Sequence, residues 1–377
     1  MKIQEIDKNF NTTFQCPEDM KWFSMDESCF SIHGVSFSED EGLYRRLPKE
    51  IADVTNEGVA YLSKHTAGGR IRFATTSTYV AVRIEAPFEE PMSHMTIAGK
   101  DGVSIFVNHR FAGTIMPSYR QIAQADPAYG GNGKIIFDGI KGIHRHVPSA
   151  DIYQVELFLP LYSAVNSIHI GLEKNCILQA PSGYKHSKPV LFYGSSITQG
   201  ACASKPGDDY ISRLSRMVDT DFINLGFSGS ATAEQAIADY IAKQDVSVFV
   251  LDYDYNAPDA EYLEKTHFRL YETVRRANPT TPIIMMTMPT VAGYEERYEE
   301  KPWFKPRREI ILNNVAKIEK SQDKNFYFID CYGCFGTYEN GECGTIDDLH
   351  PDSLGFLRMA EKVYPVLNKL LNESKDL

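Results

Sequence analysis

The sequence lacks any apolar run that could cross a membrane. No stretch of its 377 residues approaches the roughly 20 consecutive apolar residues that a spanning helix requires. The first residues, Met1 to Asp7, also lack the apolar core of a signal peptide. From these two absences we expect a cytoplasmic protein that does not bind membranes.

The chain also has fewer positively than negatively charged side chains. The chain has 39 Lys and Arg residues against 50 Asp and Glu residues, so its formal net charge of −11 repels phosphate backbones and anionic lipid headgroups. We therefore expect no nucleic-acid partner. The hydrophobic fraction of 43% and the charged fraction of 24% are ordinary for a folded enzyme and argue against extended disorder.

A cysteine pattern typical of disulfide-bonded proteins is also missing. The seven cysteines are odd in number and scattered from Cys16 to Cys343, which does not fit a disulfide scaffold and favours reduced thiols. Cys331 and Cys334, with Cys343 nearby, have a spacing that can serve zinc or redox chemistry. Because no second Cys-x-x-Cys and no helix-borne His pair accompanies them, we predict no metal site.

The first half of the chain contains short segments in which apolar and polar residues alternate. Val80/Val82/Ile84 and Ile168/Ile170/Leu172 follow this period of two, which is typical of half-buried strands. Turn signals separate the segments, for example Ala98–Gly102 and Gly130–Gly133. Many strands without helical stretches predict an all-β sandwich or jelly roll, which we assign to residues 1–185.

Near Ala180–Gly183 the pattern changes to short apolar strands that alternate with amphipathic helices. Continuous apolar strands suit a parallel sheet that is covered on both faces. We predict a doubly wound five-stranded parallel sheet in residues 186–377, with ligands bound beyond the carboxyl ends of its strands. The predicted strands are Val190–Tyr193, Phe222–Leu225, Val246–Leu251, Ile283–Met286 and Phe326–Ile329.

Residues capable of catalysis occur after three of these strands and before the last helix. The segments are Gly194–Gly200, Gly226–Ser230, Asp252–Asn256 and Asp347–Pro351. Each has an ordinary structural explanation when taken alone, as a loop, a turn or a helix cap. Their occurrence together at one edge of the predicted sheet favours an enzyme active site.

In this order the four segments resemble the SGNH hydrolases, also called GDSL lipases and esterases, over residues 187–377. The resemblance implies that Ser196 is the nucleophile, that His350 is its general base and that Asp347 orients His350. It also implies an oxyanion hole formed by Ser196, Gly229 and Asn256. Ser195 stands where the family often has Asp, and the Gly and Asp that usually flank the family's Asn are absent around Asn256.

The chemistry fits these roles. A serine hydroxyl needs a base to take its proton, and a neutral imidazole does this near pH 7. Asp347 can hold that imidazole in the correct tautomer. Backbone N–H groups and an amide side chain can stabilise the developing oxyanion. Such a mechanism requires no cofactor and no metal, so we expect neither.

The first half carries a weaker resemblance. Ser149-Ala150-Asp151-Ile152-Tyr153 is similar to the Gly-x-Asp-Leu-Tyr motif that ends the N-terminal β-sandwich of several bacterial SGNH hydrolases. Arg46-Leu47-Pro48 and Gly68–Phe73 are similar to further segments of that domain. The resemblance implies two domains in fixed contact.

For the function we expect a serine carboxylic ester hydrolase that removes short acyl groups, acetyl above all, from a carbohydrate. One alternative is an esterase or lysophospholipase that acts on longer acyl chains, and another is an inactive carbohydrate-binding protein. The expected partner is a small acylated sugar, and a homo-oligomer is left open.

Several polar and aromatic residues near the predicted site allow more than one interpretation. Trp303 and Tyr255 are candidate substrate contacts, and residues 294–304 form either a lid or a surface insertion. Asp252 and Asp254 serve either as metal ligands or as hydrogen-bonding groups, of which we favour the second. Six histidines in or at the edge of the first half are assigned surface or structural roles, although residues 144–146 could reach the active site: His65, His94, His109, His144, His146 and His186.

Overall fold

A computed structural model describes residues 3–7, 14–143, 152–293 and 302–373. The first half consists mainly of short strands, with five helices of four to seven residues. The strands are β1 (Met20–Ser24), β2 (Ser31–His33), β3 (Ser36–Ser38), β4 (Leu43–Arg45), β5 (Arg70–Thr75), β6 (Tyr79–Pro87), β7 (Val103–Val107), β8 (Arg110–Ile115), β9 (Lys134–Gly142), β10 (Tyr153–Phe158), β11 (Ser167–Glu173) and β12 (Leu178–Gln179). The helices are α1 (Ile3–Ile6), α2 (Lys49–Thr55), α3 (Glu57–Leu62), α4 (Ile97–Asp101) and α5 (Tyr119–Ala125).

Two antiparallel sheets enclose one apolar core in this half. One sheet has the order β1-β11-β6-β9, and the other has the order β12-β5-β10-β7-β8 with β2 paired to β5. Val82 and Ile170 come from the first sheet, Phe73 and Leu157 come from the second, and all four belong to the same buried cluster. The predicted β-sandwich is confirmed.

The short helices were not predicted. Ala98–Gly102 was expected to be a turn, but its residues lie mostly in α4. The Thr96 side chain accepts a hydrogen bond from the N–H of Gly99 at 2.9 Å and caps this helix. Because α4 has only five residues, it is too short to show a helical period in the sequence.

The second half is the predicted α/β unit. Its strands are β13 (His186–Gly194), β14 (Thr220–Gly226), β15 (Val248–Asp252), β16 (Ile283–Met286) and β17 (Phe326–Ile329). They are all parallel, in the order β14-β13-β15-β16-β17, so the prediction of a doubly wound five-stranded sheet is confirmed. The helices are α6 (Ser196–Gln199), α7 (Tyr210–Val218), α8 (Gln235–Ala242), α9 (Ala260–Ala277), α10 (Phe304–Ser321) and α11 (Ser353–Glu373).

Sheet order fixes where a site can form. β13 has its sequence successors β14 and β15 on opposite sides, so the crevice of a doubly wound sheet lies beyond its carboxyl end at Gly194. None of the helices in the described part of the chain combines the length and apolar character of a membrane span.

Helices from the first half complete the core of the second. Leu47 and residues of α2 and α3 share one buried cluster with Leu225 and Phe227 at the edge of the parallel sheet. In space, the segment around residues 47–62 therefore packs with the α/β unit, although it precedes most of the β-sandwich in sequence. The assignment of residues 1–185 and 186–377 to two domains stays a prediction.

Arg46 lies at the centre of this contact. Its buried guanidinium donates to the carbonyl oxygens of Leu62 at 2.8 Å and His65 at 2.7 Å, both in the first half. It also donates to the carbonyl oxygens of Asn224 at 3.1 Å and Gly226 at 2.8 Å, at the end of β14. Desolvation lowers the pKa of Arg46 to about 9, so the side chain remains charged at neutral pH.

A second buried arginine joins the halves at the opposite end of β14. The Arg70 guanidinium pairs with Asp221, donates to the carbonyl oxygen of Phe222 at 3.2 Å and lies 3.6 Å from the centre of the Phe222 ring. His33 also reaches Asp221, at 2.9 Å. The β-sandwich thus holds both ends of the edge strand of the parallel sheet.

Removing the Arg46 guanidinium should destabilise the whole chain. Arg46→Met leaves buried carbonyl oxygens without donors, so we expect the free energy of unfolding to fall by at least about 3 kcal/mol in urea titrations. Arg83→Met is the matched control, because the Arg83 side chain is 45% exposed and pairs with Asp138 at 3.1 Å on the surface. The control should cost less than about 1 kcal/mol. Equal losses in the two variants would contradict the role given to Arg46.

Candidate active site

The predicted nucleophile lies at a sharp turn from strand to helix. β13 ends at Gly194, where a Cβ atom would lie 2.2 Å from the carbonyl oxygen of Asp252, so no side chain fits there. The Ser195 hydroxyl accepts a hydrogen bond from the N–H of Ile197 at 3.2 Å and caps α6. Ser196 is therefore the first residue of the helix, at the carboxyl edge of the sheet, with only 7% of its surface exposed.

A continuous chain of hydrogen bonds runs from Ser196 to Asp347. Ser196 Oγ lies 2.9 Å from His350 Nε2, and His350 Nδ1 lies 2.7 Å from Asp347 Oδ2. The backbone N–H of His350 also donates to Asp347, at 2.7 Å. The structure thus brings together three side chains that the sequence separates by up to 154 positions.

The charge of Asp347 follows from these contacts. Burial alone would raise the pKa of the carboxyl group, but the hydrogen bonds from the ring and backbone of His350 outweigh it and hold the pKa below its ordinary value. The carboxylate is therefore ionised at neutral pH. A carboxylate that accepts from Nδ1 leaves Nε2 unprotonated and able to accept a proton from Ser196.

A closed loop holds the histidine in place. Thr345 and Pro351 form an isolated antiparallel bridge, and the N–H of Ile346 donates to the carbonyl oxygen of His350 at 2.9 Å. Asp348, within this loop, has a positive φ of 66°. Directly after it, Asp352 accepts hydrogen bonds from the first N–H groups of α11, which anchors the loop to that helix.

Three donors predicted for the oxyanion hole lie around the turn. The backbone N–H groups of Ser196 and Gly229 have no acceptor among the described residues. For Ser196 this is expected, because the first N–H groups of a helix have no partner within it. Gly229 has a positive φ of 64°, which favours glycine. A Cβ atom at this position would have no other atom within 4 Å, so lack of space is not the reason for the glycine. Asn256 Oδ1 is buried without a hydrogen-bond partner in the described ranges.

Ser196 and Asn256 line the same cavity, which has a volume of about 200 Å³. Gly229 does not belong to its lining. Tyr255 and Trp303, the predicted substrate contacts, do line it, with ring centres 6.2 Å apart. Residues 294–301 of the predicted lid lie outside the described residues.

The sequence did not predict how the catalytic turn is braced. Gln199 of α6 accepts from the N–H of Ser228 at 3.1 Å and donates to the carbonyl oxygen of Leu161 at 3.2 Å. Asn224 donates to the carbonyl oxygen of Thr198 at 2.9 Å. The nucleophile helix, the Gly229 segment and the β-sandwich are therefore connected by hydrogen bonds.

Arg307 was also missed. It lines the cavity from α10, donates to the carbonyl oxygen of Ala257 at 2.5 Å and has its charged group 5.5 Å from the Trp303 ring. Its only sequence signal was its position just after the predicted lid. A buried guanidinium beside two aromatic rings gives the cavity a polar as well as an apolar wall.

Asp252 at the end of β15 and Asp254 just after it act as hydrogen-bonding groups. Asp252 accepts from the hydroxyls of Thr198 at 2.8 Å and Tyr210 at 3.0 Å, and Asp254 accepts from the N–H of Met288 at 2.7 Å. Desolvation raises the pKa of Asp252 to about 7 and that of Asp254 to about 8. Both carboxyl groups brace the floor of the site.

Neither the acidic pair nor the cysteine group forms a cation site among the described residues. The three side chains there that could hold one are His94, Cys202 and His350. The ring centre of His94 lies 5.7 Å from that of His350, and the surface or structural role assigned to His94 stays a prediction. The segment before α4 brings it there through a long-range contact that no local pattern shows. His144 and His146 lie outside the described residues.

Two families of known proteins match the chain. Residues 187–368 match the GDSL-like Lipase/Acylhydrolase family, and residues 20–178 match the family described as the N-terminus of SGNH-hydrolase-type esterases. The second half of the chain is a GDSL-like acylhydrolase domain. Both resemblances seen in the sequence are thereby confirmed, and the protein is an SGNH-type esterase with a β-rich N-terminal region.

Solved structures support the same fold for this esterase. A protein from Bacteroides ovatus described as a GDSL-like lipase is 26% identical, with a TM-score of 0.78 over 94% of this chain and 98% of its own. A salicylyl-acyltransferase from a tetracycline biosynthetic pathway is 19% identical, with a TM-score of 0.71 over 94% and 98%. An acetyl xylan esterase from Butyrivibrio proteoclasticus is 12% identical, with a TM-score of 0.58 over 94% and 99%. A search of curated proteins gives no match.

Asn256 provides a direct test of the predicted oxyanion hole. Asn256→Ala should lower kcat by about 10²–10³-fold with little change in KM, because the amide would act on charge that develops only in the transition state. Ser196→Ala and His350→Ala should each cost more. Ser228→Ala is the control: Ser228 is half-buried next to Gly229, its side chain has no assigned role in catalysis, and kcat should stay within a few-fold. Near parental kcat in folded Asn256→Ala would exclude this residue as a donor.

Proposed function

We propose that this esterase removes short acyl groups, acetyl above all, from a carbohydrate, with Ser196 as nucleophile, His350 as general base and Asp347 as its orienting carboxylate. The observation that carries the proposal is the chain of hydrogen bonds at 2.9 Å and 2.7 Å that links these three side chains. In this arrangement the imidazole can accept the serine proton as the hydroxyl oxygen attacks.

The reaction proceeds in two halves. Ser196 Oγ attacks the ester carbonyl while its proton passes to His350 Nε2, and the resulting oxyanion is stabilised by the N–H groups of Ser196 and Gly229 and by the Asn256 amide. His350 then returns the proton to the leaving alcohol, which leaves an acyl group on Ser196. Water, deprotonated by His350, attacks this acyl group, and the acid departs as the serine recovers its proton.

The size of the cavity favours a short acyl group. Its volume of about 200 Å³ lies below the roughly 300–1,000 Å³ typical of sites for larger ligands. An acetyl group fits such a space next to Ser196, whereas an octanoyl chain needs a longer apolar channel. This favours the deacetylase over the esterase or lysophospholipase for long chains.

The walls of the cavity favour a sugar as the alcohol. Tyr255 directs its hydroxyl to the carbonyl oxygen of Pro289 at 2.7 Å, so its ring rather than its hydroxyl is left for a substrate. Trp303, 36% exposed, adds a second ring. Aromatic faces stack on the apolar faces of sugars, and the names of two structural neighbours, an acetyl xylan esterase and a family two carbohydrate esterase from Clostridium thermocellum, support the same substrate class.

A series of nitrophenyl esters tests the acyl preference. We expect kcat/KM to fall from acetyl through butyryl to octanoyl, because the longer chains exceed the cavity. Acetylated oligosaccharides should then release acetate with a higher kcat/KM than nitrophenyl acetate. The Ser196→Ala chain is the background control. A higher kcat/KM for octanoyl than for acetyl esters would favour the long-chain alternative, and no turnover of any ester would favour a binding protein without activity.

A further inference from the structure

Three side chains that could bind a cation converge at the catalytic histidine. His94 comes from the segment between β6 and α4, Cys202 from the loop after α6 and His350 from the loop before α11. One ligand atom of each lies within 4.8 Å of the other two. The rings of His94 and His350 lie 5.7 Å apart and are inclined by 34°.

We propose that His94, Cys202 and His350 form a binding site for a thiophilic divalent cation such as Zn²⁺, and that the bound cation reversibly inhibits the esterase by occupying His350.

The ligand set matches the preference of zinc. Cysteine sulfur and histidine nitrogen are its common ligands, at about 2.3 Å and about 2.0–2.1 Å, which places ligand atoms about 3.3–3.6 Å from one another in a tetrahedral site. A separation of up to 4.8 Å closes to this range through a shift of about 1 Å. The exposed His94 can supply most of that shift. The fourth position is left for water or another small ligand.

Asp347 strengthens the case for His350 as a ligand. Its carboxylate engages Nδ1 at 2.7 Å, so Nε2 is the nitrogen that would bind the cation. Carboxylate–histidine–metal arrangements of this kind fix the ring and increase the basicity of the ligating nitrogen. The same contact that prepares His350 for catalysis therefore prepares it for a metal.

Cys202 makes the site selective for soft cations. The residue is 6% exposed and has a positive φ of 68°. Zn²⁺ favours thiolate ligands, whereas Mg²⁺ and Ca²⁺ prefer oxygen ligands.

Occupation of Nε2 would block the nucleophile. Ser196 Oγ lies 2.9 Å from the same nitrogen, so a bound cation and the serine hydroxyl compete for it. The expected inhibition rests on the proposed role of His350 as base. The binding of the cation does not, since it requires only the three ligands.

Cobalt(II) is the probe for binding, because a Co²⁺–thiolate bond gives a charge-transfer absorption that reports a cysteine ligand directly. We would titrate Co²⁺ into the full chain carrying Ser196→Ala, in which no turnover is needed and the competing hydroxyl is absent. His94→Ala and Cys202→Ala, each added to this background, should weaken Co²⁺ binding by at least about 10-fold. His169→Ala and Cys16→Ser, at sites outside the group, should leave it unchanged.

The inhibition is measured separately in chains that retain Ser196. Zn²⁺ should inhibit the parent and EDTA should restore it, while Mg²⁺ has no effect. His94→Ala and Cys202→Ala should keep the metal-free turnover of the parent and require at least about 10-fold more Zn²⁺ for half inhibition.

The two measurements separate the possible failures. If the thiolate absorption is missing, or if the His94 and Cys202 variants bind Co²⁺ as tightly as the parent, the cation site does not exist. If the variants lose binding but saturation with Zn²⁺ leaves turnover of the parent unchanged, the site stands and the assignment of His350 as base is wrong.

Discussion

The hydrogen bond between Ser196 and His350 constrains how the strands and loops of the α/β unit are arranged. The two residues are 154 positions apart, yet their side-chain atoms must stay 2.9 Å from each other. Parallel strand order achieves this, because β13 delivers the serine to the carboxyl edge of the sheet and the closed loop before α11 returns the histidine to the same edge. The buried Asp252 fixes the floor through Thr198 of the nucleophile helix.

The β-sandwich contributes to this edge as well. Arg46 holds the carbonyl oxygens at the end of β14, just before the segment that contains Gly229. His94 reaches the ring of His350 from the same half of the chain. The first half thus contacts the site region through the buried guanidinium of Arg46 and through the side chain of His94 next to His350. We infer that it supports the geometry of the predicted oxyanion hole, and it supplies His94 to the proposed cation site.

Local sequence patterns predict only part of this structure. The central strands β15 and β16 of the parallel sheet are buried on both faces, so they appear as apolar runs, and the four site segments lie directly after strands or before a helix. The approach of Arg46, Gln199 and His94 to the site could not be predicted, since each acts through contacts between distant segments. The short helix α4 was missed because a side-chain cap, not a periodic apolar face, defines it.

If Ser196 is the nucleophile, it carries the acyl group during turnover, and that intermediate can be trapped. The protein would be mixed with nitrophenyl acetate, quenched in acid during the burst of nitrophenol and digested for mass spectrometry. We expect one acetyl group on the peptide that contains Ser196, localised to that residue and lost in His350→Ala. An acetyl group on the neighbouring Ser195, or full turnover with no acetylated serine in this peptide, would contradict it.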